Sequence, residues 1–315
     1  MRVFYDIEDV KKDLNTYLTL GTFDGLHIGH QHILKEVIER SKKKSGRNFL
    51  VTFSPHPRLV LNSNANHISL LTTTDEKLKL IEEYGIENVL VINFTKEFSQ
   101  IPSESFIKDY LYKKIGFKEI IIGHDHQFGK GREGNRETLE MFGRDLGFSV
   151  DAIGPVSVGG ETVSSTKVRH AITDGNLEKA GNFLGRFYSI EGKVIEGDKR
   201  GRTLGFPTVN IAVENIKLMP KNGIYAGRIF IDGEKYNGVM SLGVRPTFYN
   251  DAVLLPEFFI FDFNKDVYGK VVKVEIIKYI REEKKYNIID DLVSQIQKDV
   301  IASKEILLEN NTLFN

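Results

Sequence analysis

The feature that most constrains the fold is a change of rhythm near residue 185. Before it, short apolar runs alternate with segments of helical periodicity. The runs are "YLTL", "FLVTF", "VLVINF", "EIIIG" and "FSVDAIG", and helix candidates between them cover 29–43, 75–84, 103–113 and 134–146. After it come "YSIEGKVIEG", "GIYAGRIFI", "EKYNGVMSL", "EFFIFDF" and "VVKVEIIKYI", with no helical pattern until "NIIDDLVSQIQKDVIASKEILL". Strands alternating with helices predict an α/β domain whose parallel sheet is covered on both faces. Strands that follow one another predict a small antiparallel β-barrel, here closed by a C-terminal helix. The 315 residues are enough for two such cores. The boundary is expected in "NFLGRFYS", which divides the chain into 1–184 and 185–315.

Local signals support these elements. "TTTDEKLKLIEEYG" has a capping threonine or aspartate, apolar Leu78, Leu80 and Ile81, and a closing Gly85. Asp232-Gly233 between two strand candidates is a hairpin signal. Ile289, Leu292, Val293, Ile296 and Val300 form an apolar stripe on the last helix.

Composition narrows the chemistry. There is no cysteine, so disulfides and thiolate metal sites are excluded. Lys plus Arg equals Asp plus Glu at 43 each, so no global field draws the protein to nucleic acid or a membrane. Any bound anion must be held by local geometry. The opening "MRVFYDIEDVKKDL" has no signal-peptide apolar region, and no apolar run approaches the ~20 residues of a membrane helix. A cytoplasmic protein is expected.

The segment "LGTFDGLHIGHQHIL", Leu20 to Leu34, sits where a strand turns into a helix, the place where parallel sheets bind ligands. Gly21, Gly25 and Gly29 allow sharp turning and close approach to a ligand. His27 and His30 are three residues apart and share a face if the helix begins there. A helix N-terminus attracts phosphate, and imidazoles can donate hydrogen bonds to its oxygens. An ordinary structural turn and a zinc site are the competing readings. Asp24 is the only acidic neighbour, and His30 and His32 do not both point one way, which weakens the zinc reading. Neither a Walker lysine motif nor a Rossmann glycine fingerprint is present, so a phosphate cradle here is of another type.

"GTFDGLHIGH" resembles the signature of the H-x-G-H nucleotidyltransferase superfamily, whose domain is Rossmann-like. There the histidine pair steadies a triphosphate while a nucleophile attacks the α-phosphorus and pyrophosphate leaves. "VSSTKVRHAI", Val163 to Ile172, matches the second element of that superfamily. Alone, its serines would be a helix cap; beside the first motif, Ser164, Ser165, Thr166 and Arg169 are expected at the phosphates.

"GDKRGRTLGFPTVNI", Gly197 to Ile211, combines three glycines, three basic residues and Pro-Thr-x-Asn. Such a loop can wrap phosphates with backbone amides, or be a polar turn with solvated charges. Thr208 and Asn210 share one face if extended and offer hard oxygens suited to Mg²⁺. Glu257 shares a strand face with Phe259, Phe261 and Phe263. A carboxylate bordering an apolar face suits a general base.

These residues resemble riboflavin kinase. From about residue 15 to 309 the chain is similar to the bacterial bifunctional FAD synthetases, riboflavin kinase joined to FMN adenylyltransferase. "TFSPHP" (52–57), "SLGVRPTF" (241–248), "DVYG" (266–269) and the segment from Arg281 onward also match. The resemblance implies that Glu257 takes the proton from the ribityl hydroxyl as riboflavin and ATP give FMN and ADP. Thr208 and Asn210 would hold Mg²⁺ and phosphates, the loop with Gly197, Lys199, Gly201, Arg202 and Gly205 would cover the nucleotide, and Arg281 would contact flavin. In the other module FMN attacks ATP to give FAD and pyrophosphate. His27, His30 and Arg169 would be catalytic there, with Gly21, Phe23, Asp24, Gly29, Asp125, Ser164, Ser165 and Thr166 around the nucleotide. Flavins are implied as substrate and product, not as a prosthetic group. The family usually has Gly-x-Asp/Asn-Phe-x-Phe-Gly where this chain reads "GHDHQFG", 123–129, so His126 replaces an aromatic ring. An imidazole with its ordinary pKa near about 6.5 would titrate there, and adenylyl transfer is expected to weaken on acidification through it. The family also tends to have histidine where this chain has Phe259.

Overall fold

In a computed structural model the described residues are 1–61, 69–197, 200–245, 253–310 and 314. They divide into two compact units, Met1–Ser164 and Ser165–Asn315.

The first unit is built on six parallel strands: β1 (Arg2–Phe4), β2 (Thr16–Leu20), β3 (Arg47–Ser54), β4 (Asn88–Asn93), β5 (Glu119–Gly123) and β6 (Ser149–Ile153). Their order is β1-β4-β3-β2-β5-β6. The chain therefore builds outward from β2 in one direction and then crosses over to β5 and β6. Strands β2 to β6 fall on the five apolar runs; β1 had no signal of its own. Side chains alternate between two cores, as strand geometry demands. Leu18, Leu20, Phe49, Val51, Leu90, Ile92, Ile120 and Ile122 face one, and Tyr17, Leu50, Val89, Val91 and Ile121 the other. The second core is closed by Ile33, Leu34, Val37 and Ile38 of α1 (Ile28–Lys43) and by Leu78 and Ile81 of α3 (Thr74–Glu83). Short α2 (Pro57–Leu61) precedes α3. Thr73 caps α3 through a reciprocal capping box with Glu76, and Gly85 follows its end at φ 95°. The first core is closed by α4 (Ser103–Ser105), which runs into a π-helical Phe106–Tyr112, and by α5 (Arg136–Leu146). Each fully buried Leu or Phe stabilises the fold by about 1.5–3 kcal/mol relative to exposure. A small hairpin, β7 (Ser157–Val158) with β8 (Glu161–Thr162), ends the unit.

The second unit opens with α6 (Ser165–Thr173) and α7 (Leu177–Leu184). Its body is a closed, wholly antiparallel barrel in the order β10-β13-β12-β11-β14-β9. The strands are β9 (Tyr188–Ile195), β10 (Thr208–Val213), β11 (Gly223–Ile231), β12 (Glu234–Arg245), β13 (Val253–Ile260) and β14 (Val271–Arg281), with one turn of helix, α8 (Arg200–Thr203), before β10. Asp232 and Gly233, at φ 52° and 84°, form the two-residue turn between β11 and β12. Phe258 fills the interior over Gly238, where a Cβ would lie 2.2 Å from its ring. The opposite face of β13 carries Phe259, which packs with Val239, Ala226, Ile277 and Phe261 against Val300, Ile306 and Leu307 of α9 (Ile289–Glu309).

The stripe on α9 differs from the sequence expectation. Ile289 is 65% exposed, while the buried side chains are Asp299, Ser303 and Leu307. Two of these are polar because β-strand groups meet them. Arg281 donates to Asp299 through Nε at 2.8 Å and Nη2 at 2.6 Å, and Ser303 Oγ donates to the Gly238 carbonyl at 2.9 Å.

Candidate functional site

The first candidate site lies where β2 runs into α1. Beyond β2 the Gly21 amide still donates to the Val51 carbonyl at 3.0 Å. The backbone then turns through left-handed conformations at Phe23 (φ 49°), Gly25 (φ 78°) and Leu26 (φ 40°). For a non-glycine residue this strain is roughly 1–3 kcal/mol and persists only where neighbours over-determine it. The segment leading into α3 supplies those neighbours. Asp24, only 3% exposed, accepts from the Thr72 amide at 3.0 Å and from the Leu71 amide at 3.3 Å. The Gly25 amide donates to Thr72 Oγ1 at 3.1 Å, and Gln31 Nε2 to the Leu26 carbonyl at 2.8 Å.

This turn delivers His27 to the N-cap of α1, where its Nδ1 accepts from the His30 amide at 3.3 Å. An accepting Nδ1 places the hydrogen of the neutral ring on Nε2, which makes that nitrogen a donor. The two imidazoles stack at 3.7 Å between centroids and 15° between planes, and the Phe23 ring meets His30 edge-on at 5.2 Å. Gly29 leaves room for this, since a Cβ there would lie 3.1 Å from His27 Cε1, a tight contact. The first turn of α1 holds no acidic residue. Two imidazole donors at the positive end of a 16-residue helix are suited to an anion. The third histidine, His32, lies apart and faces Glu36 Oε1 at 4.0 Å.

Because β2 and β5 are parallel neighbours, the loop after β5 opens on the same sheet edge as this turn. That edge, where the direction of building reverses, is where open α/β sheets bind ligands. The loop contains exposed Asp125 and half-buried His126. The His126 ring stacks on Phe128 at 6.0 Å and 19°, and its Nε2 is sealed from solvent without a hydrogen-bond partner. Desolvation pushes the imidazole down to about 4, against the pull of Asp125 and with help from the Arg132 charge. Burial therefore works against the expectation that His126 titrates in the neutral range, by lowering the ring's affinity for a proton.

Lys77 was missed by the sequence reading. It shares the buried side of α3 with Leu78 and Ile81 and is only 5% exposed. Its Nζ donates to the Thr22 carbonyl at 3.2 Å, Thr52 Oγ1 at 3.0 Å and the Phe53 carbonyl at 3.1 Å. Its i−4 relation to Ile81 was the available signal, but lysine is ordinarily a solvated residue.

Ser164 ends the first unit, and Ser165, Thr166 and Arg169 lie on α6 at the start of the second. Val168 and Ile172 of α6 are fully buried, whereas Ser165, Thr166 and Arg169 reach solvent, at spacings that share one helix face.

The other candidate site is on the barrel. Asn210 of β10 is paired with Glu257 of β13, and Thr208 with Phe259, so all four lie on one face. Thr208 Oγ1 donates to Glu257 Oε2 at 3.2 Å. Asn210 is 5% exposed and its Oδ1 is sealed without a hydrogen-bond partner. Gly197 lies so close that a Cβ would fall 2.1 Å from Asn210 Nδ2. In the loop, Gly201 accepts at its carbonyl from the Phe206 amide at 2.8 Å, Gly205 is left-handed at φ 83°, and Arg202 is exposed. Phe206 meets Phe259 edge-on at 5.4 Å. Lys199 lies outside the described residues, as do the last three residues of "SLGVRPTF". Arg281 is held by Asp299, so its fork is already occupied in this structure. Among the described residues no group of three His, Asp or Glu side chains gathers as a metal cage.

Residues 9–167 match the family model described as FAD synthetase, and residues 184–307 the one described as riboflavin kinase. A bifunctional riboflavin kinase/FMN adenylyltransferase of Listeria monocytogenes is 36% identical over 287 residues, 91% of each chain. That of Escherichia coli K12 is 36% identical over 289 residues, again 91% of each chain. A crystal structure described as a macrolide-efflux protein from Streptococcus pneumoniae superposes with a TM-score of 0.87 at 29% identity, covering 96% of this chain and 98% of that one. No helix among the described residues is long and apolar enough to cross a membrane.

Proposed function

The chain belongs to the bifunctional riboflavin kinase/FMN adenylyltransferase family, and from that premise we propose which of its residues carry each reaction. It makes FMN from riboflavin and ATP, and FAD from FMN and ATP. The observation that carries the residue assignment is that His27 stacks on His30 at the N-terminus of α1, while Thr208 meets Glu257 on the barrel.

On the barrel, Glu257 accepts the proton of the ribityl 5′-hydroxyl as that oxygen attacks the γ-phosphorus and ADP leaves. The Thr208 hydroxyl, donating to Glu257 Oε2, fixes the carboxylate. The sealed, unpartnered Asn210 Oδ1 beside Thr208 fits a hard cation, and these two residues would hold Mg²⁺. When bound, Mg²⁺ screens the phosphate charge. The loop with Gly197, Lys199, Gly201, Arg202 and Gly205 covers the nucleotide, and Arg281 borders the flavin through the β14–α9 contact.

At the sheet, a phosphate oxygen of FMN attacks the α-phosphorus of ATP, and the bond to the β-phosphate breaks to release pyrophosphate. His27 Nε2 and His30 donate to the phosphate oxygens as charge shifts. Gly21, Phe23 and Gly29 shape the turn, Asp24 anchors it to Thr72, and Asp125 lines the neighbouring loop. The family's second motif assigns Ser164, Ser165, Thr166 and Arg169 to phosphate binding. The adenylyltransferase domain covers 1–184 and the kinase domain 185–315. A cytoplasmic location fits the use of ATP, and neither nucleic acid nor membrane is a partner.

Incubation with riboflavin, ATP and Mg²⁺, followed by chromatography, should show FMN and then FAD. Chelation of Mg²⁺ should stop both steps and its return restore them. Accumulation of FMN that is never adenylylated would remove the assignment at the sheet.

The lowered proton affinity of His126 leads to a second expected result. Wild-type and His126→Phe enzymes should show superimposable, scaled pH profiles for FMN adenylylation from pH 5.5 to 8. Stability should separate them instead. The folded imidazole binds its proton only near about 4, below the ordinary value near about 6.5, so the unfolded chain takes up protons first as pH falls. Wild type should lose stability between those values, and His126→Phe should lose less. Thermal unfolding at pH 7 and pH 4.5 reads the difference.

A further inference from the structure

The Thr22–Leu26 turn is strained at two non-glycine residues, Phe23 and Leu26. Lys77 adds to its connection with β3. Its ammonium has three N–H donors, and three acceptors surround it at 3.0–3.2 Å: two on β3 and one in the turn. Thr52 Oγ1 also donates to the Thr22 carbonyl at 3.3 Å, which closes a triangle of lysine, threonine and turn. No donor of the ammonium is left over for a ligand. This is a fully satisfied clamp, located under the backbone that sets the stacked histidines.

We propose that Lys77 is a positioning residue for adenylyl transfer, whose buried ammonium clamps the strained Thr22–Leu26 turn to the end of β3, and that the reaction weakens when this clamp loses its proton. The neutral amine has two N–H donors for three acceptors, so one connection must fail. The inference rests on adenylyl transfer being the reaction of the sheet unit.

The clamp is poised to titrate. Burial pushes Lys77 down to about 8, opposed by the charge of Asp24. The groups around it are few. The turn contributes Asp24 and, at its exit, His27 and His30; β3 contributes Thr52, Phe53 and Ser54, none ionisable. On its own helix the Glu76 carboxylate is engaged with the Thr73 amide at 2.8 Å.

The test is the pH profile of kcat/KM for FMN adenylylation, which reports groups of the free enzyme. In wild type it should fall as pH rises through about 8. Lys77→Gln should lower kcat by on the order of a hundredfold, the cost of a displaced turn, and should lack that limb. Riboflavin phosphorylation in the same molecule should be unchanged, and native-like thermal unfolding of the sheet unit shows that the variant is folded. Thr52→Ala keeps the lysine but removes one acceptor that stabilises its charge, so its limb should move to lower pH. A folded Lys77→Gln enzyme with wild-type kcat and the same alkaline limb overturns the proposal. Should that variant fail to fold, an unmoved limb in Thr52→Ala overturns it equally. If wild type does not convert FMN to FAD at all, the reaction assignment falls, a result distinct from either.

Discussion

A Glu257→Gln enzyme is expected to lose riboflavin phosphorylation by on the order of a hundredfold to ten-thousandfold, the range of a positioned general base. Conversion of added FMN to FAD should stay close to wild type. The amide keeps the size of the side chain and can still meet Thr208, but it cannot accept the proton of the attacking hydroxyl. Phe259 and Phe261 beside it pack against α9 and do not depend on its charge. Separate assays with riboflavin and with FMN as substrate give the comparison. Equal loss of both activities in a folded variant would contradict two separate sites.

The converse is expected of His30→Ala, with adenylyl transfer reduced roughly a hundredfold to a thousandfold and phosphorylation retained. The imidazole is lost both as a donor to phosphate and as the surface on which His27 stacks at 3.7 Å. The His27 N-cap bond uses the backbone amide of residue 30 and survives the change, so α1 should keep its start. Steady-state kinetics with ATP and FMN should show the loss mainly in kcat. An unchanged kcat would remove His30 from the transition state.

Much of this was legible because the relevant physics is local. Short apolar runs marked β2 to β6, a capping threonine or aspartate with an apolar stripe marked α3, and Asp232-Gly233 marked the β11–β12 turn. The stacked histidines follow from three-residue spacing with a glycine inside it. What escaped was non-local. Strand β10 reads as a loop, since Pro207 and Thr208 follow a glycine-rich stretch, and only pairing with β13 and β9 on both sides makes it a strand. Lys77 reads as surface until β3 and the turn surround its ammonium. Asp299 and Ser303 read as the polar flank of α9 until Arg281 and the Gly238 carbonyl meet them. In each case the partner comes from a distant part of the chain, which periodicity does not encode.

The position of β10 has a further consequence. It joins β13 to β9 and so completes the ring, yet it is held by three residue pairs on one side and four on the other, against nine between β11 and β12. Strands with few pairings open first in local fluctuations. Thr208 and Asn210 lie on this seam, and Glu257 faces it from across. The residues proposed as proton acceptor and cation ligands are therefore brought together only while the ring is shut. A barrel parted along this line keeps Phe258 and most of its hydrogen bonds but separates Thr208 and Asn210 from Glu257. On the proposed roles, phosphorylation would then depend on ring closure.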